Sequence, residues 1–384
     1  MKSWTILLSS LVFSFGLASC ASVAPMPPAA NLFDDALFAP PSAVIDPSSA
    51  LALSGPMRAY TDTRLRQGAR PTDRRKQLIN ALYHGDLKLE YDAVQTRTAS
   101  QAFDARAGNC LALVMMTASF AKELGMTVRY QAVVGEEAWN RADDLYISIS
   151  HVNLVLEEPE RWGFRSTQLP LVVDFLPARD ANALVTREIS EPTVIAMFLN
   201  NRAVEALTQG DVDDAYWWSR EAIRTDPELL GAYVTLGVVY RTKHQPALSE
   251  QVLARVAARE PDNLYAMSNR VLALRDLGRS AEAEVLVKRL AALDPHPPFS
   301  YFREGMAALH DGHVEEARRL FAKEVARAPY HHEFEYWLAV SYMELHDADR
   351  ATIHLQRAME VSTTRKDHDL YAGKLDRLKA LRAQ

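Results

Sequence analysis

Ala222-Ile223-Arg224-Thr225-Asp226-Pro227 closes an apolar-periodic stretch on a proline, and Leu290-Ala291-Ala292-Leu293-Asp294-Pro295 closes another in the same way. Pro261 stands between them and Pro329 beyond them, so four prolines follow one another at intervals of 34 residues. Proline lacks the N–H that a helix interior requires, so each marks the end of a helix. Side chains keep the same phase. Tyr233, Leu236, Gly237 and Tyr240 fall at helical spacing in one unit, and small residues recur at Ala203, Gly237, Gly305 and Ala339. A second small series runs through Ala215, Ala283, Ala317 and Ala351. Small residues at a fixed phase let paired helices approach closely. About five helix pairs are predicted over 196–365, with 367–384 as a capping helix of polar outer face. Two departures stand out: Val271 takes a small residue's place, and Thr363 stands where a fifth proline would fall.

A 34-residue helix–turn–helix period resembles the tetratricopeptide (TPR) repeat. That resemblance implies an all-α solenoid over 193–384 whose concave groove holds a protein or peptide partner.

N-terminal to the repeats the pattern changes. Asp104-Ala105-Arg106-Ala107-Gly108-Asn109-Cys110-Leu111-Ala112 places a cysteine at the start of a long apolar helix, closed by Gly125. Thr127 to Gly135 alternates and is rich in β-branched residues, so it reads as a strand. A polar loop, 136–144, leads to a second strand, Tyr146 to Leu156, which carries His151; a third, Leu169 to Phe175, carries Asp174. Helix followed by antiparallel strands makes this an α+β domain, assigned to 56–192.

Cys110, His151 and Asp174 suit nucleophilic chemistry. A thiol attacks carbonyls as thiolate, which a helix N-terminus and an adjacent imidazolium both favour. His151 would take the thiol proton and return it to the leaving group, and Asp174 would hold the other ring nitrogen. Backbone N–H groups in the Gly108-Asn109 turn would face an oxyanion. Asn153 is an alternative orienter on the same strand face as His151, and Gln131 or Trp139 would line the site.

The quoted residues, with Arg129-Tyr130-Gln131-Ala132-Val133, His151-Val152-Asn153-Leu154-Val155 and Val172-Val173-Asp174-Phe175, resemble the transglutaminase-like branch of the papain-like fold. The spacings of 41 and 23 residues between Cys110, His151 and Asp174 suit it. The resemblance implies a Cys-His-Asp hydrolase of protease or amidase type, or an acyltransferase with the same triad, and calls for no cofactor. Asn109 where the family often has Asp, and Val152 after the histidine, turn the expectation away from protein crosslinking. A non-catalytic interaction protein built on the repeats is the competing reading.

The first residues read as targeting rather than fold. Lys2, a short apolar run and the ending Leu17-Ala18-Ser19-Cys20 resemble a bacterial lipoprotein signal over 1–19. The resemblance implies acylation of Cys20, an anchor in a lipid bilayer, and a place on the outer membrane facing the periplasm. Residues 20–55, with six prolines among Ala and Ser, read as a tether whose apolar pieces Leu32-Phe33 and Ala36-Leu37-Phe38 dock on the folded part.

Composition narrows the rest. With 384 residues, 48% hydrophobic and 24% charged, there is material for two or three ordinary cores. A net charge of −6 without a long basic run argues against nucleic acid as partner. His331-His332 and the pair His310 and His313 lack clustered acids or cysteine, so they are read as solvent-exposed surface rather than a metal site.

Overall fold

The computed structural model describes residues 30–67, 74–85, 87–93, 95–142, 145–157, 169–175, 185–362 and 364–382. Cys20 and the stretch 1–19 expected to be its signal lie outside the described residues. In the N-terminal half the helices are Gly55–Tyr60 (α1), Arg74–Tyr83 (α2), Ala99–Ala105 (α3) and Cys110–Glu123 (α4). The strands are Glu90–Tyr91 (β1), Ala107–Gly108 (β2), Thr127–Ala142 (β3), Leu145–Glu157 (β4), Leu171–Val173 (β5) and Thr186–Ile189 (β6).

Every residue of α4 from Cys110 to Ala121 is buried. A helix apolar around its whole circumference needs cover on all sides. One cover is an antiparallel sheet in the order β5-β4-β3-β6, against which α4 lies chiefly on β4 and β3. The others are α3, α2 and the first repeat helix, Glu191–Gln209 (α5). The expected loop at 136–144 is instead strand as far as Ala142. A register shift between Ala132 and Glu137 interrupts the β3–β4 ladder, which then resumes with Glu137 opposite Ser150. Such a bulge bends a strand without ending it. β6, which the sequence pattern does not announce, pairs along the other edge of β3 from Tyr130↔Ile189 to Val133↔Thr186.

The proline-rich segment is docked at both ends of its described length, with 39–44 exposed between them. Single 3-10 turns at Ala30–Leu32, Asp35–Leu37 and Pro47–Leu51 carry it across the early repeats and onto α4. Leu32 and Phe38 are buried, and the Phe38 ring stacks on Tyr216 at 3.8 Å between centroids. The Tyr240 hydroxyl accepts from the Asp34 N–H at 3.0 Å and donates to the Leu32 carbonyl at 2.6 Å. Burying two such apolar side chains is worth about 1.5–3 kcal/mol each.

The C-terminal half is a run of helices: α5, Val212–Thr225 (α6), Leu230–Thr242 (α7), Pro246–Arg259 (α8), Leu264–Asp276 (α9), Ser280–Leu293 (α10), Ser300–His310 (α11), Val314–Arg327 (α12), His332–Glu344 (α13), Ala348–Glu360 (α14) and Arg365–Arg382 (α15). Each of the four phased prolines follows the end of α6, α8, α10 or α12 by two residues. Consecutive helices pack as antiparallel pairs. The small positions do what their phase requires: a Cβ on Gly237 would sit 2.7 Å from Leu253 Cγ, and one on Gly305 2.7 Å from Phe321 Cε1.

The stack is uneven. α7 packs on α6, α9 on α8 and α13 on α12, but α11 makes no comparable contact with α10. Hydrophobic clustering stops there too: the small cluster of Val271, Leu274 and Ala283 is separate from the aromatic cluster of Phe299, Phe302, Phe321 and Phe334. On α10 only Ala283 is buried, and Val285 is 66% exposed. Val271, the bulky residue at a small position, belongs to this thin pair. The connection holds Pro295, Pro297 and Pro298, and Phe299 takes a left-handed φ of 64°.

Candidate functional site

Cys110 is the first residue of α4 and is a free, buried thiol. Asn109 caps the helix: its Oδ1 accepts from the Ala112 N–H at 3.0 Å, and its Nδ2 donates to Thr96 Oγ1 at 2.8 Å. Gly108 belongs to β2, which runs parallel to β1 with Tyr91 opposite Gly108. A Cβ there would lie 2.9 Å from the Ala112 Cβ, so only glycine lets this strand cross the start of α4. Both turn residues are therefore placed by the helix start, and the Asn109 side chain is committed to its cap.

His151 reaches the site from β4 and Asp174 from the residue after β5. His151 Nε2 donates to the Asp174 carboxylate, at 2.9 Å from Oδ1 and 2.8 Å from Oδ2. Their side chains are 4% and 8% exposed, so this is a buried pair. A carboxylate only accepts, which puts the proton on Nε2 and leaves Nδ1 for another partner. Nδ1 is buried and makes no hydrogen bond, while Cys110 lies near enough to act on the ring. Burial pushes the imidazole toward its neutral form, but Asp174 and Cys110 together outweigh it and hold His151 up at about 9.

The Asp174 carboxylate has its own support. Asn153 Nδ2 donates to Oδ2 at 3.2 Å, and the Tyr83 hydroxyl donates to the Asp174 carbonyl at 2.8 Å. Asn153, expected as a rival orienter, thus holds the acid and does not touch the histidine's free nitrogen. Phe175 stacks on Tyr83, fixing the end of β5 against α2. Gln131 pairs with Asn153 across the ladder, two residues from His151, while Trp139 stands opposite Ser148, further along the hairpin.

One neighbour escaped sequence reasoning. Tyr91 lies near enough to Cys110 for the two to act on each other; burial first, and then the thiol, drive the Tyr91 pKa up. Nothing in the pattern around Tyr91 marks it, because β1 is two residues long and its pairing with β2 is what brings it to the thiol.

His310 and His313 are exposed as expected, but His331 and His332 are not the exposed surface expected. His331 stacks on Phe334 at 4.0 Å and lies edge-on to Phe299, and burial drives its pKa down to about 3. His332 Nδ1 hydrogen-bonds the Tyr371 hydroxyl at 2.7 Å. These rings serve the joint between α13, α11 and the last helix. Among the described residues no helix is long and apolar enough to cross a membrane.

No family model matches the chain. In sequence it is similar to a TPR repeat-containing protein of Pseudomonas aeruginosa, 27% identical over 174 residues that cover 41% of this chain and 30% of that protein. The chain thus spans under a third of the length of that curated relative. Among solved structures it matches YrrB, described as a TPR protein with an unusual peptide-binding site, at 21% identity and a TM-score of 0.25, over 47% of this chain and 92% of that one. MamA from Desulfovibrio magneticus matches at 17% identity and a TM-score of 0.26, over 45% and 96%. The 34-residue period, the helix pairs that realise it and the Pseudomonas relative together define the class of the C-terminal half: TPR-type repeats.

Proposed function

We propose that this chain is a TPR-type interaction scaffold with a thiol site built against its first repeat. The scaffold reading is carried by the five helix pairs over 191–360, which offer stacked helix faces to a protein or peptide partner. A photo-crosslinking residue at Leu272 on α9, and in contrast at Val285 on α10, tests it in cells. A discrete crosslinked species at either position supports a partner on the repeats, and none at both overturns it.

A finer reading adds chemistry, and the observation that favours it is His151 held between Asp174 and Cys110. In this reading the Cys110 thiolate attacks a peptide or amide carbonyl, and the thiol proton passes to His151 Nδ1. His151 then protonates the departing amine as the tetrahedral intermediate collapses to a thioester. Water releases the acid, or an amine takes the acyl group, which is where hydrolase and acyltransferase part. The transglutaminase-like resemblance fits this order of residues, and the α4 N-terminus supplies N–H groups for the oxyanion. Alkylation by iodoacetamide decides between thiol site and inert core. Labelling that disappears in Cys110→Ala and slows at least tenfold in His151→Ala supports the site; slow labelling indifferent to His151 overturns it.

The N-terminal signal extends the proposal to place: an acyl anchor on Cys20 would hold the scaffold at the bacterial envelope, on the periplasmic face of the outer membrane. Palmitate incorporation that persists in Cys20→Ser would refute it.

A further inference from the structure

The first repeat helix reaches into the thiol site. Thr96 is buried between the two halves, and three groups converge on it. Its Oγ1 accepts from Asn109 Nδ2 at 2.8 Å and from Asn201 Nδ2, on α5, at 3.3 Å. Its backbone N–H donates to Glu205 Oε1, also on α5, at 2.6 Å. The second oxygen of Glu205 is taken by Arg202 at 2.6 Å, and the Arg202 guanidinium lies over the Trp218 ring of α6 at 5.6 Å. Asn109, at the other end of this chain of contacts, is the residue that caps α4 immediately before Cys110.

We propose that Glu205 is a positioning residue for Cys110: through Thr96 and Asn109, the first TPR-type helix sets the N-terminal turn of α4 and with it the reactivity of the thiol. This rests on the thiol-site reading above. The physical argument is short. Asn109 has two jobs at once, accepting from the Ala112 N–H and donating to Thr96. A cap works only when its side chain is held in one rotamer, and Thr96 is what holds it. Thr96 is itself fixed by a part-buried carboxylate that a charged partner keeps in place, and a hydrogen bond to a charged acceptor is stronger than a neutral one. Loss of Glu205 frees the Thr96 segment, lets Asn109 turn away, and unfixes the N–H groups whose partial positive charge favours a thiolate at Cys110. Whatever binds the α5–α6 face near Arg202 and Trp218 therefore bears on the same contacts.

The test is the pH profile of Cys110 alkylation by iodoacetamide in the full chain. Glu205→Ala and Thr96→Val should each slow alkylation at pH 7 up to about threefold and move the profile up by about half a pH unit, the size of a helix N-terminus's effect. Glu205→Gln keeps an acceptor oxygen for the Thr96 N–H and should restore most of the rate. A merely structural role would lower the unfolding midpoint of Glu205→Ala and leave its profile in place, and that outcome overturns the proposal. Thermal unfolding of each variant separates misfolding from repositioning, and Arg202→Gln, which leaves Glu205 itself intact, gives a milder shift in the same direction. His151→Ala distinguishes the two levels. If it does not slow alkylation, the thiol-site reading fails; if it does while Glu205→Ala matches wild type, the positioning role alone fails.

Discussion

Replacing Asp174 with asparagine removes the charge behind His151 and changes almost nothing in shape. In the native site burial presses the ring toward neutrality, and the carboxylate with Cys110 lifts it to about 9 from an ordinary 6.5. A lift of some 2.5 units corresponds to about 3 kcal/mol of preference for the imidazolium, at about 1.4 kcal/mol per unit. Without the carboxylate, burial is opposed by Cys110 alone, and His151 should titrate well below 9. Since the native value is raised, the stability it brings is fully present below pH 6.5 and lost as pH climbs through 9. Asp174→Asn should therefore lose up to about 3 kcal/mol relative to wild type at pH 6.5, the part of the lift that Asp174 rather than Cys110 supplies, with the gap closing toward pH 9. The Cε1–H resonance of His151, assigned with His151→Gln, reads the titration, and urea unfolding at the two pH values reads the energy. A native His151 titrating near 6.5, with the variant unchanged, would refute the coupling.

Other perturbations test the rest of the fold. Gly305→Ala puts a methyl 2.7 Å from the Phe321 ring; overpacking costs about 1–3 kcal/mol and helix propensity returns about 1, so urea unfolding should show equal or lower stability, never a gain above 1 kcal/mol. His331 is held neutral, its pKa down at about 3, so its contribution is complete above pH 6.5 and lost as pH falls toward 3; by pH 5 about 2 kcal/mol should be gone, and His331→Leu should abolish that part of the acid sensitivity in denaturant titrations. Amide hydrogen exchange should be faster in α10 than in α8 or α12, because only Ala283 anchors it; equal protection in the three would contradict the thin third pair.

Much of this was readable in the chain. A proline every 34 residues is a local signal, and the helices end where it says. Cys110, His151 and Asp174 were each legible because each sits in an element with a strong pattern of its own: an apolar helix and two β-branched strands. What escaped depends on contacts between segments far apart. Tyr91 and Glu205 carry no pattern, and they matter only because β1 meets β2 and α5 meets Thr96. The continuation of β3 past Gly135 was hidden by polar residues that a hairpin tip tolerates in water, and the bulge between Ala132 and Glu137 has no signature of its own. His331 was misjudged for a similar reason. A histidine pair reads as surface until Phe299 and Phe334 are seen to flank it.

The gap between α10 and α11 changes how the repeats respond to load. A solenoid whose neighbours all interlock shares tension along its length, as a uniform spring does. Here the links in series are unequal, and in force spectroscopy a pull on the two ends should open the Pro295–Phe299 junction before any helix pair gives way. The aromatic block beyond it then behaves as one rigid bead, and the segment from α5 to α8, clasped by residues 30–51, as another.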